Sequence, residues 1–102
     1  MEQAERPEPP DVEDDRVHER LIVRRDGHVA ELDYHRRGER LSILHTGVPA
    51  SLEGKGIGSA LVRAAVELAA ADGLTVVPYC SFARRWLDGH PEVAAAVRVD
   101  HP

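Results

Sequence analysis

A chain of 102 residues that is 42% apolar has material for one small domain with a single core. Its net charge of −5 is concentrated at one end: residues 1–15 hold seven acids against one base, Arg6, a net of −6 that leaves the remainder at +1. A nearly neutral body lacks the dense basic face of a nucleic-acid binder, and a single cysteine excludes an internal disulfide. Aromatic residues make up only 4%, so Leu, Val, Ile and Ala have to build the core. No signal peptide or long apolar run is visible, so the chain is expected to be cytoplasmic, reduced and independent of membranes.

Residues 1–15, with Pro7, Pro9 and Pro10 among the acids, read as a disordered acidic tail. Residues 17–25 read as a strand. Asp26-Gly27 then signals a two-residue hairpin, because a type I′ turn needs positive φ at both central positions. In the next strand Ala30, Leu32 and Tyr34 alternate with Val29, Glu31 and Asp33. Arg37-Gly38 marks a second turn and residues 41–48 a third strand, so 17–48 form an antiparallel meander. From Gly56 to Asp72 the period becomes helical, with Ile57, Leu61, Ala65 and Leu68 in one apolar stripe and Gly73 placed to end the helix. Residues 74–77 make a short buried strand stopped by Pro78. Ser81–Asp88 form a second helix with Phe82, Trp86 and Leu87 turned inward, and residues 92–97 add one more turn. The class is α+β, a meander followed by α-β-α. The domain is expected over residues 16–98, with a short tail at 99–102.

Three features bear on chemistry. The turn Glu53-Gly54-Lys55-Gly56-Ile57-Gly58-Ser59 exposes main-chain amides at a helix start, where an anion is held by N–H groups and the helix dipole. No Lys-Ser/Thr pair follows the last glycine, which argues against a P-loop, and Ser59 and Leu61 break a dinucleotide fingerprint. A phosphate or pyrophosphate cradle remains, beside the plainer reading of a tight turn without a ligand. Cys80 sits between a strand and a helix start, where the dipole favours a thiolate; a small buried apolar residue is the other reading. None of the six histidines has an i, i+4 partner or a cysteine partner, so no metal site is expected. His45 at a strand end is a candidate base or simply a satisfied polar residue. Arg84 and Arg85 are either phosphate ligands or solvated surface residues.

In order and spacing, three blocks resemble the GNAT superfamily of acetyl-CoA-dependent N-acetyltransferases. They are His45-Thr46-Gly47-Val48-Pro49, the run Gly54 to Val62, and Val77-Pro78-Tyr79-Cys80-Ser81-Phe82 leading to His90-Pro91-Glu92. The similarity spans Leu21 to Glu92 and points to the short single-domain branch with a coenzyme A site and a cysteine. The resemblance implies a compact GNAT-like fold, helices on a mixed sheet, and a strand that splays from its neighbour ahead of the glycine turn. It implies that Thr46, Gly47 and Val48 line the pantetheine arm, and that Gly54, Lys55, Gly56, Ile57, Gly58 and Ser59 hold the pyrophosphate. Cys80 would lie near the thioester. Glu53 stands where the superfamily has Arg or Gln and has to point away from the phosphates. Gly47 stands where the branch commonly has an acid, which leaves the general base open. The implied activity moves an acetyl group to an amine, by direct attack with His45 or water as base, or through Cys80. The acceptor, a protein amine or a metabolite, is not named by the sequence. A coenzyme A-binding module without turnover is the alternative.

Overall fold

The computed structural model describes residues 11–102. A five-stranded sheet runs in the order β1 (Glu13–Asp15), β2 (Arg20–Arg25), β3 (His28–Arg37), β4 (Arg40–Gly47), β5 (Thr75–Pro78). The first four strands are antiparallel, and β5 joins β4 in parallel, so the sheet is mixed. Helices α1 (Ile57–Asp72), α2 (Ser81–Gly89) and α3 (Pro91–Ala94) follow a single 3₁₀ turn at Ala50–Leu52. Among the described residues, no helix is long and apolar enough to cross a membrane.

The hairpin between β2 and β3 turns at Asp26 and Gly27, with φ of 53° and 77°, as the type I′ geometry requires. Ala30, Leu32 and Tyr34 are buried on one face of β3 and meet Leu21, Val23, Leu41 and Ile43 from its neighbours. Helix α1 covers this face with Ile57, Leu61, Val62, Ala65, Val66 and Ala69, all buried. Leu68, expected in the apolar stripe, is only half-buried at the margin. The helix ends where the Gly73 and Leu74 amides turn back onto the Ala70 and Ala69 carbonyls at 3.4 and 2.8 Å. Ala83, Trp86 and Leu87 of α2 complete the core.

Several boundaries depart from the sequence reading. Residues 1–10 of the expected acidic tail lie outside the described residues, but Glu13–Asp15 of that tail form the edge strand β1. Their charges are matched by the sheet itself: Arg24 meets Glu13 at 3.2 Å, and the Tyr34 hydroxyl donates to Asp14 at 2.7 Å. The meander therefore has four strands. Residues 17–19, expected as strand, form a turn with Glu19 at φ 54°. The Glu19 carboxylate there accepts from the Arg36 amide at 2.9 Å and pairs with His35 at 3.0 Å. At the other end, the expected tail is tied to β5. Val76 donates to the Arg98 carbonyl at 2.9 Å, and Asp100 donates to the Val76 carbonyl at 2.9 Å.

Candidate functional site

The site begins with a fault in the sheet. Asp33 of β3 pairs with His45, but Tyr34 pairs with Ile43, so Leu44 is an extra residue opposite no partner. A bulge shifts the alternation of side chains by one. Ile43 faces the core with its partner Tyr34, and Thr46 faces the same side with its buried partner Leu32. Were Leu44 paired regularly with Asp33, Thr46 would fall opposite Glu31 and point to the other face.

The pairing of β4 with β5 stops at the same level. The last pair is Ile43 with Pro78, which has no N–H to extend the ladder. The Ile43 carbonyl accepts from the amides of both Tyr79 and Cys80, at 3.0 and 3.1 Å, and the chain then turns into α2. Residues 44–47 of β4 thus run on without a strand beside them on that edge. This is the splayed strand that the family resemblance implied.

A cleft of about 520 Å³ opens on the helix side of this gap, lined by Thr46, Val48, Leu52, Glu53, Gly54, Gly56, Ile57, Gly58, Ser59 and Phe82. Its floor at α1 carries free amides: the first bond to close inside the helix is Ala60 N–H to the Gly56 carbonyl at 3.0 Å, which leaves Ile57, Gly58 and Ser59 without intrahelical acceptors. Gly54 and Gly56 hold φ of 80° and 76°, a conformation that side-chain-bearing residues adopt at a cost, and no atom lies within 4 Å of where their Cβ atoms would be. The turn is open to a ligand rather than packed against protein. Val48, Leu52 and Ile57 supply an apolar wall beside it. Donors at one end and an apolar wall at the other fit a ligand with an anionic group on a partly apolar arm.

Cys80 is half-buried at the N-cap of α2, and its thiol donates to Thr46 Oγ1 at 3.6 Å. Burial pushes the thiol up, but the Ala83 amide, the Thr46 hydroxyl and the amides of Phe82 and Thr46 together outweigh it and hold Cys80 below its ordinary range. The neutral thiol makes no formed capping bond to α2, so the helix amides act on the thiolate through their dipoles.

Of the residues singled out in the sequence, Cys80 and Thr46 are brought together, and Thr46, Val48, Gly54, Gly56, Ile57, Gly58 and Ser59 line one cleft. Lys55 is exposed on the turn beside it. His45 and Gly47 are directed to the opposite face of the sheet, with their partners Asp33 and Glu31, so His45 does not meet Cys80. Glu53, expected to point away, is part of the cleft lining. Arg84 does not serve the cleft: its guanidinium donates to the Pro78 and Tyr79 carbonyls at 3.3 and 2.9 Å and fixes the turn into α2.

Phe82, expected in the core, is 36% exposed, and its ring lies on Gly58, with Cζ 2.9 Å from the position of a Cβ there. It is a wall of the cleft. A second feature that pattern reading does not reveal is the Trp86 Nε1–H donating to Ser59 Oγ at 2.6 Å, with the indole stacked on His90 at 3.9 Å between ring centroids and Arg63 over its face at 5.4 Å. The sequence reading turned Trp86 inward but placed Ser59 only in the glycine turn, so no local signal joined the two.

Residues 20–97 match the family of GCN5-related N-acetyltransferases, and the chain belongs to that family. It is also similar to the solution structure of a GCN5-like protein from Staphylococcus aureus, with 26% identity, 88% of this chain and 89% of that chain covered, and a TM-score of 0.69. No curated protein matches. Family and fold support acetyl transfer as the general activity.

Proposed function

We propose that this protein binds acetyl-CoA in the cleft between β4 and α1 and passes the acetyl group to an amine. One observation carries the reading: the free amides of Ile57, Gly58 and Ser59 open into the same cleft as Thr46, whose hydroxyl touches Cys80. The amides and Lys55 hold the pyrophosphate. Val48, Leu52 and Ile57 cover the apolar part of the arm, and the unpaired edge of β4 meets the arm's amides. Glu53 raises the cost of the phosphates, so main-chain donors rather than ion pairs carry the affinity.

Two routes serve the transfer. An amine that has lost its proton attacks the thioester carbon, the carbon–sulfur bond breaks, and the departing thiolate takes up a proton. In the second route the Cys80 thiolate makes that attack first, then gives up the acetyl group to the amine and returns to a thiolate. The lowering of the Cys80 thiol and its bond to Thr46 favour the second route. Incubation of the full chain with acetyl-CoA, followed by thermal unfolding and intact mass, tests both parts. Stabilisation and one acetyl group retained on Cys80 are expected. Stabilisation without an acetyl adduct leaves direct attack or binding without turnover, which release of free coenzyme A in the presence of an amine tells apart. No stabilisation at millimolar acetyl-CoA refutes the proposal.

A further inference from the structure

The glycine turn carries a charge of the wrong sign for an anion cradle. Glu53 stands at its first position, is exposed, and belongs to the lining of the cleft. Its amide is engaged elsewhere, donating to the Ala50 carbonyl at 3.2 Å to close the 3₁₀ turn. Glu53 therefore brings only acceptors to the cleft, a carboxylate and a carbonyl. The free donors are the Ile57, Gly58 and Ser59 amides, with Lys55 exposed on the turn between. Among the described residues no base, Lys55 included, stands within ion-pair distance of Glu53.

A diphosphate diester brings two negative charges to this cleft, Glu53 adds a third, and Lys55 returns one. Main-chain amides satisfy phosphate oxygens through their dipoles, but they leave that excess in place, and a partly enclosed cleft screens it less than open solvent does. A small divalent cation removes the conflict. Magnesium takes oxygen ligands, keeps several waters, and is held by one or two carboxylates together with substrate phosphates. Among the described residues no group of three His, Cys, Asp or Glu could hold a metal ion, so the chain builds no cage of its own. The donor set that remains is one carboxylate and the phosphates of the ligand. At Gly54 and Gly56 no atom lies within 4 Å of where a Cβ would be, which leaves room for a hydrated ion beside the turn.

We infer that the diphosphate is taken into this cleft as its magnesium complex, with the Glu53 carboxylate and a phosphate oxygen sharing the hydrated ion. The inference rests on the coenzyme reading of the cleft and names the counter-ion of that same site. The ion has no seat before the diphosphate arrives, because the ligand supplies half of the donors. Affinity for the coenzyme is then linked to free magnesium, and Glu53 changes from a cost to a contact as the metal is supplied.

The test is calorimetry of the full chain with acetyl-CoA at constant ionic strength, in chelator and in about 5 mM magnesium, where binding is expected to be about tenfold tighter. Glu53→Gln, which keeps shape and removes charge, binds more tightly than the native chain in chelator and does not respond to magnesium. Glu53→Arg, which brings a fixed cation, behaves likewise. No magnesium response in the native chain, or an equal one in Glu53→Gln, overturns the inference. The second probe is inorganic pyrophosphate with manganese, read at the amides of the isotope-labelled chain. Paramagnetic broadening centred on Gly54–Ser59 is expected only when pyrophosphate is present, and it is lost in Glu53→Gln; broadening centred elsewhere overturns the inference. Acetyl-CoA that binds equally in chelator and in magnesium refutes the ion and leaves the coenzyme reading standing. Pyrophosphate and metal seated at the turn, with no binding of acetyl-CoA, refute the coenzyme reading alone.

Discussion

Replacing Ser59 by Ala removes the acceptor of a nearly buried indole. Trp86 is 7% exposed, and its Nε1–H has Ser59 Oγ at 2.6 Å as its partner. An N–H left without an acceptor costs about 1–3 kcal/mol, and partial access of water at the half-buried Ser59 favours the lower half of that range. Ala is the better helix former by up to about 0.5 kcal/mol, which offsets part of the loss. The net expectation is about 1 kcal/mol, or a fall in Tm of roughly 4–8 °C for a chain of this size. In a Trp86→Phe background there is no donor left to strand, so Ser59→Ala becomes neutral or slightly stabilising. Urea unfolding of the four proteins measures the coupling, expected at about 1 kcal/mol. A cost of Ser59→Ala that is the same in both backgrounds would show that the bond contributes nothing and that the indole is held by packing alone. The same substitution reaches the site. Because Ser59 accepts from Trp86, its own proton is free for the cleft, and its loss weakens acetyl-CoA roughly three- to tenfold by calorimetry.

Thr46→Val takes a donor from the Cys80 thiolate, so the pH at which iodoacetamide labelling accelerates, lowered in the native chain, moves upward; labelling profiles that coincide would refute the role given to the hydroxyl. Gly56→Ala forces a side chain into φ 76° and costs about 1–2 kcal/mol by denaturant unfolding, although no neighbour obstructs it. Tyr34 is pushed up by burial and by its hydrogen bond to Asp14, and a raised value in the fold means stability is constant below the unfolded tyrosine value of about 10 and falls as pH rises past it; Tyr34→Phe flattens that alkaline fall at a cost of about 1 kcal/mol at neutral pH.

The strongest local signals in the sequence were those with one physical cause. Asp26-Gly27 specifies its hairpin through backbone sterics, and Ala30, Leu32 and Tyr34 alternate because one face of β3 is core. The helix from Ile57 to Asp72 and its stop at Gly73 follow from period and capping. Features set by two distant segments were not legible. Acids at Glu13–Asp15 look like tail until Arg24 and Tyr34 are beside them, and a bulge at Leu44 leaves no mark in composition. The cleft residues were readable from the glycine turn and the resemblance together. The side of the sheet on which His45 and Gly47 fall was not, because an odd residue upstream reverses the alternation on which such a reading depends.

The stretch of β4 beyond Ile43 keeps a ladder toward β3 and has none toward β5. Its amides on the open side are therefore ones that local opening exposes to exchange at little cost, although they lie in an inner strand of the sheet. A ligand arm bearing amide groups, laid along that edge, acts as a surrogate strand. The protein then carries in its free form an unfinished piece of secondary structure, and occupancy is reported as rigidity: slowed amide exchange at residues 44–47, with no change of fold.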